Sequence, residues 1–309
     1  MKAPTLLAVP NVSEGRDPAT VGAIAQAAGG LAGAGAAGAV RILDVHSDPD
    51  HDRSVITFAA PPGALADALL ACAAEAVARI DLTRPGRAGQ HPHVGALDVA
   101  PVVYLDQDAR GAACAEALVV ADRLGSELGV PVFLYGELTA AEPGPGRTRA
   151  QLRRGGAAGL AARMRDADGA QPLAPDFGPR AIDPRIGATL VAARPPLVAF
   201  NLELAPPASI ADARRIAAAI REGGEEGLPG LRAIAIELEG GRAQVSMNVE
   251  RPLELPLAEV VAAVARHAAP ARAELVGLAP AAAFEGFPED LPVPGFDPGR
   301  HLIENALGC

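Results

Sequence analysis

At 309 residues, half of them hydrophobic and 21% charged, the chain has the length and apolar content for one large domain or two smaller ones sharing a cleft. Aromatic residues make up 3% and Trp is absent, so the core must rest on Leu, Val, Ile and Ala. A net charge of −10 argues against a general nucleic-acid or anionic-membrane partner, because phosphate binding needs a basic face; a local arginine-lined pocket is still allowed.

Residues 6–12 have strand period, and residues 18–32 have the period of an amphipathic helix. Strands are expected at 40–45 and 54–59, joined by the polar loop HSDPDHDR, with a helix at 65–80. A strand at 99–105, a helix at 111–128 and a short buried strand at 131–135 complete the first half. Residues 142–195 are rich in Gly, Pro and Arg; the run RTRAQLRRGGAAGLAARM reads as a basic helix and the rest as connecting loop. The second half repeats the order with a strand at 197–204 and a helix at 210–221, whose first turn carries Asp212. A hairpin of 233–238 and 243–249 turns around Glu239-Gly240-Gly241, and a helix at 257–267 and a strand at 274–278 follow. This order predicts an α+β fold of two tandem ferredoxin-like (βαββαβ) subdomains, 1–188 with its linker and 189–309, with a ligand cleft between them.

The three cysteines, Cys72, Cys114 and Cys309, show no C-x-x-C spacing, so reduced thiols are expected, with Cys72 and Cys114 packed as small hydrophobes in helices. The N-terminal apolar run is too short for a signal peptide, and no stretch of about 18 uninterrupted apolar residues marks a membrane span. The expected location is the cytoplasm.

The polar residues concentrate in two places. Asp44, His46, Asp48, Asp50, His51, Asp52 and Arg53 follow one strand, and His91, His93 and Asp98 fill GQHPHVGALD. Four of the six histidines therefore fall in two loops at similar ends of a predicted sheet. Three readings stay open on spacing alone: His91 as a general acid/base with carboxylate support, a divalent metal site, or turn and cap residues. Asn11, Ser13, Glu14 and Arg16 in VPNVSEGRD suit a ligand-facing loop or a helix cap equally well. The glycines of DFGPRAIDPRIGAT allow backbone to approach a flat ligand, or simply make tight turns. No dinucleotide or P-loop fingerprint is present.

Taken in order, VPNVSEGRD, ILDVHSDPDHDRSVITF, QHPHVGALDVAP, VPVFLYGE, APDFGP with IGATLVAARPPLVAFNLEL, and AQVSMN resemble the formiminotransferase family over about residues 8–280. The resemblance implies transfer of a formimidoyl group from N-formimidoyl-L-glutamate to tetrahydrofolate, a step of histidine degradation. It implies two ferredoxin-like subdomains with folate between them, tetrahydrofolate as co-substrate, no metal, and a homodimer. The family's catalytic histidine matches His91, with Asp44, His46 and Asp98 in supporting positions. Its folate-contacting stretch matches Gly178, Pro179, Arg180, Ala181, Ile182, Asp183, Pro184, Arg185, Ile186 and Gly187, with a further contact at Gly230. Near His91 the chain departs from the animal pattern: Gln90 stands at an acidic position, His93 where Arg is usual, and His46 where Asp is usual. Another formimidoyl or formyl donor, a folate-binding protein without turnover and a metal-dependent hydrolase are the competing expectations.

Overall fold

The computed structural model describes residues 4–30, 40–84, 92–140, 146–165 and 173–308. It is a mixed α/β structure in two units, Met1–Pro195 and Pro196–Cys309, each with its own sheet and core.

In the first unit the opening strand is interrupted. β1 (Leu6–Ala8) and β2 (Asn11–Val12) flank Val9 and Pro10, and a proline nitrogen has no proton to give the ladder. Both pieces lie between β4 (Arg53–Ala60) and β5 (Leu97–Val103), while β3 (Arg41–Asp48) pairs with the outer side of β4. Beyond β5, β7 (Thr189–Arg194) and β6 (Val132–Leu134) continue the sheet in parallel. Helices α1 (Pro18–Gly29), α2 (Ala64–Arg79) and α3 (Arg110–Glu127) cover one face, with Ile24, Phe58, Leu69, Val102 and Leu124 in the core beneath them. The opposite face is covered over β5, β7 and β6, where Val99, Phe133 and Leu190 pack with Leu152 of α4 (Arg149–Arg153) and Leu160 of α5 (Gly156–Arg165). β7 serves both cores in strand period: Val191 and Ala193 face the first, Leu190 and Ala192 the second.

Three expectations change. Residues 189–194, grouped by sequence with the second half, form a strand of the first sheet; buried on both faces, it lacks the polar alternation that marks a one-sided strand. The loop HSDPDHDR shrinks to a turn at 49–52 because β3 and β4 pair out to Asp48 and Arg53. The basic helix is two short ones, α4 and α5.

The second unit runs β8 (Val198–Leu204), α6 (Ile210–Ile220), β9 (Leu231–Glu237), β10 (Ala243–Val249), α7 (Leu257–Ala265) and β11 (Pro270–Val276). The spatial order is β11-β8-β10-β9, antiparallel throughout. α6 opens with a capping box between Ser209 and Asp212. A C-terminal tail adds what the Ala-rich elements lack: Phe284 stacks on Phe296 at 4.6 Å, and Phe287 meets the core residue Phe200 edge-on at 6.0 Å. Cys72 is buried in α2, which pushes its thiol up to about 12, and Cys114 is half-buried in α3. Among the described residues no helix is long and apolar enough to cross a membrane.

One long-range cap joins α2 to α3. The residue before α2 is Gly63, which has no side chain to cap with, and the Glu116 carboxylate on α3 accepts from the N–H groups of Gly63 and Ala66, both at 2.7 Å. Glu116 is 5% exposed. Glu116→Ala is expected to destabilise the protein by about 1–3 kcal/mol, read as a lower urea midpoint at unchanged slope. Glu116→Gln, which keeps an acceptor oxygen, should lose less; equal losses would mean that the charge and not the acceptor matters.

Candidate active site

The register of β3 and β4 decides where the polar residues face. It is continuous except between Ile42, which opposes Phe58, and Asp44, which opposes Thr57, so Leu43 is an inserted residue. Such a bulge reverses the faces of everything after it. Ile42 consequently sits with Phe58 on the side of α1–α3, whereas Asp44, His46 and Asp48 sit with Thr57, Val55 and Arg53 on the other side. One row crosses the sheet there: His46 opposes Val55, Val55 opposes Asn11, and Asn11 opposes Val99. Residues opposed in register share a face, and successive rows on one face are about 7 Å apart. The rows on either side of His46–Val55 are Asp44–Thr57 and Asp48–Arg53. This face thus has an apolar half roofed by α4 and α5 and a polar half on β3, β4 and β2. Thr57 is 1% exposed on the polar half, and its hydroxyl has no hydrogen-bond partner among the described residues.

At the border of the two halves lies Asp98, 1% exposed. One carboxylate oxygen accepts from the Val94 N–H at 2.8 Å, and the other is bound by the guanidinium of Arg153 on α4, itself 9% exposed. Asp98 thereby fixes both α4 and the segment leading from His93 into β5. That segment is stitched to the end of the 178–187 loop: Ala96 N–H donates to the Ile186 carbonyl at 2.8 Å, and Ala188 N–H to the Val94 carbonyl at 2.9 Å. The approach is close enough to require glycine on both sides. A Cβ on Gly187, where φ is +73°, would lie 2.1 Å from the Val94 oxygen, and one on Gly95 would lie 2.0 Å from the Ala188 oxygen. Between its anchored ends the loop is largely exposed; Asp183 receives the Arg185 N–H at 2.8 Å, and Arg185 reaches Asp81 at 3.4 Å.

Arg53 is half-buried at the start of β4 and, among the described residues, its side chain has neither a hydrogen bond nor an ion pair. Burial, reinforced by the Arg153 guanidinium and only partly offset by Asp98 and Asp48, holds its pKa down at about 10. Asp48, directly opposite, is turned to His51 instead: it accepts the His51 N–H at 2.9 Å and lies 3.7 Å from the ring Nδ1. Glu14 accepts from the N–H groups of Arg16 and Asp17 at 2.9 and 3.0 Å, and Ser13 donates to the Gly95 carbonyl at 2.8 Å, so much of VPNVSEGRD is local scaffold. Among the described residues no group of three or more His, Cys, Asp or Glu side chains is placed to hold a metal ion.

Residues 5–194 match the family described as the formiminotransferase domain, N-terminal subdomain. The chain is 36% identical over 307 residues, 97% of each chain, to a protein of Streptococcus pyogenes serotype M1 named glutamate formimidoyltransferase. It is 34% identical over 302 residues to a Thermoplasma acidophilum protein of the same name, covering 95% of this chain and 94% of the other. The chain belongs to the formiminotransferase family. A formimidoyltransferase-cyclodeaminase of Sus scrofa is 38% identical over 252 residues, 78% of this chain but 43% of the longer animal protein.

The structure brings Asp44 and His46 onto one face of β3, sets Asp98 at the border of that face, and ties residues 186–188 to residues 94–96. His91 and Gln90 lie outside the described residues. Gly230 belongs to the second unit, where its N–H donates to Glu222 at 3.0 Å and its carbonyl accepts from Glu250 N–H at 2.8 Å. Arg153 and Thr57 were not singled out by sequence, and nothing in their local pattern marks them. Arg53 stood at the end of a polar run, with no sign there that its side chain lacks a partner among the described residues.

Arg153→Ala would leave the Asp98 carboxylate buried without its cation, and a loss of about 3–5 kcal/mol is expected in chemical denaturation. The double variant Asp98→Leu/Arg153→Met, with no buried charge left over, is expected to recover most of that loss while still disturbing the 92–98 segment. A double variant no more stable than Arg153→Ala would contradict this account.

Proposed function

We propose that the protein transfers the formimidoyl group of N-formimidoyl-L-glutamate to tetrahydrofolate, releasing glutamate and 5-formimidoyltetrahydrofolate, as a step of histidine degradation. The observation that carries this reading is 36% identity, over 97% of both chains, to a protein named for glutamate formimidoyl transfer. The polar face of the first sheet supports it by gathering proton-transfer groups and a cation beside the loop of the expected folate stretch.

The chemistry asks for little beyond positioning and proton movement. The tetrahydrofolate N5 attacks the amidine carbon, a tetrahedral intermediate forms, and the bond to the glutamate nitrogen breaks. The proton lost by N5 must reach the departing amine. An imidazole placed between the two nitrogens does both transfers, an effect of about 10²–10⁴-fold. His91 takes this role in our reading. Asp98 acts on it at one remove, since its oxygens hold Val94 and Arg153 in place; it is a positioning residue. Asp44 and His46 line the face on which the donor lies.

The two units correspond in this reading to the N- and C-terminal formiminotransferase subdomains, β7 being counted with the first. Both contain the order β-α-β-β-α-β, and both place the first strand between the third and fourth. That shared order supports tandem ferredoxin-like subdomains. Folate would then occupy the expected cleft, held by residues 178–187 and Gly230. The same reading makes the protein a cytoplasmic homodimer acting on small molecules, with tetrahydrofolate as co-substrate and no metal.

The test is an assay with N-formimidoyl-L-glutamate and tetrahydrofolate, following the methenyl product formed on acidification by its absorbance. Turnover is expected, falling by about 10²–10⁴-fold in His91→Ala while tetrahydrofolate binding measured by calorimetry is kept. Full activity in His91→Ala would remove that residue from the mechanism. Wild-type protein that binds tetrahydrofolate without turnover would point to a different donor.

A further inference from the structure

On the polar face of the first sheet, Arg53 is a half-buried cation whose side chain has no hydrogen bond or ion pair among the described residues. Its nearest carboxylates are committed elsewhere: Asp98 to Arg153 and Val94, Asp48 to the His51 turn. Arg149 and Arg153 on α4 act on Arg53 repulsively, against the attraction of Asp98 and Asp48. Among the described residues the Arg53 side chain has no hydrogen bond, yet it is half-buried. A cation drawn out of water without a partner lowers the stability of the fold, so its presence calls for an anion that arrives from outside. The planar fork of a guanidinium matches a carboxylate through two parallel hydrogen bonds.

We propose that Arg53 binds a carboxylate of the donor's glutamyl moiety and so selects an acidic amino acid as the carrier of the transferred group. This rests on the transferase reading above and names the residue that recognises its donor. Folate also ends in a glutamyl carboxylate, and two observations favour the donor. Arg53 lies one row, about 7 Å, from His46 on the same sheet face, roughly the span of a glutamyl skeleton. The expected folate stretch, residues 178–187, is anchored instead to residues 94–96 and 81–82.

Arg53→Gln and Arg53→Lys, compared with wild type in steady-state kinetics, test the assignment. Arg53→Gln is expected to raise KM for N-formimidoyl-L-glutamate by about 10²-fold, the loss of one bidentate charged contact, with KM for tetrahydrofolate within about twofold. Arg53→Lys, which keeps the charge without the fork, should fall between. Donors lacking one carboxylate, N-formimidoylglycine and N-formimidoyl-γ-aminobutyrate, show which one is bound: wild type should discriminate against one of them strongly, and Arg53→Gln should lose that discrimination. Thermal unfolding separates binding from structure, because removing a lone half-buried cation should leave Tm unchanged or raise it. A lowered Tm together with an unchanged donor KM would make Arg53 structural and overturn the proposal. A raised KM for tetrahydrofolate alone would assign Arg53 to the folate carboxylate and also overturn it. Wild type without turnover on this donor would sink the transferase reading itself, whereas turnover with an unchanged donor KM in Arg53→Gln sinks only the role of Arg53.

Discussion

The first unit is organised around a carboxylate that has been taken out of water. Asp98 sits at the start of β5 with almost no exposed surface, and its two oxygens have different duties. One holds the backbone of the segment that enters the strand, and the other holds a guanidinium on a helix that crosses the opposite side of the sheet. A buried ion pair of this kind is weak as a source of net stability but severe when broken, because either partner alone is a buried charge. Its consequence is geometric. The 92–98 segment, α4 and the sheet cannot move independently, and the 178–187 loop is bound to the same segment through Ile186 and Ala188.

The second constraint is the divided face of the first sheet. A sheet of six strand positions needs apolar cover on both sides only where its strands are parallel and flanked by connections. α4 and α5 supply that cover over β5, β7 and β6, and stop there. The antiparallel half is thereby left to polar side chains, and the bulge at Leu43 determines which ones. In a regular strand Ile42, Asp44, His46 and Asp48 would share one face, so either the three polar residues would point at α1 or Ile42 would point away from Phe58. A single residue of register therefore lets one strand serve an apolar core at one end and a polar face at the other.

Much of the fold was legible in the sequence because its signals are local. Helices α1, α2, α3 and α6 have apolar spacing that repeats with helical period, and the hairpin of β9 and β10 turns on Gly240 and Gly241, so each was found within a few residues. β7 was missed because TLVAAR has no alternation to read, and its pairing partners are about ninety residues away in β5 and sixty in β6. The candidate site was legible in part through its polar residues: Asp44, His46 and Asp98 stood out by composition, and the family resemblance ordered them. Arg153 did not stand out, since one arginine in RTRAQLRRGG looks like the next, and its selection depends on which turn of a five-residue helix meets β5. The same holds for Thr57, whose significance lies in having no partner.

Several polar groups without a hydrogen bond among the described residues lie near one another in the first unit. The Thr57 hydroxyl, the Tyr135 hydroxyl and the Arg153 Nε are buried without a hydrogen bond, and the Arg53 guanidinium is half-buried without an ion pair. Thr57 and Arg53 project from the polar half of the face, and Tyr135 and Arg153 lie within or beside the α4–α5 layer that borders it. Each such group opposes folding by roughly 1–3 kcal/mol relative to a satisfied one. In the helix-covered core, by contrast, one oxygen of the buried Glu116 accepts two backbone N–H groups. Selection for stability alone would remove the unsatisfied groups where they are, by apolar replacement of Thr57 and Tyr135 and neutralisation of Arg53. A polar ligand on that face would supply the missing partners of Thr57 and Arg53, and part of the unit's stability would then be deferred until it is bound.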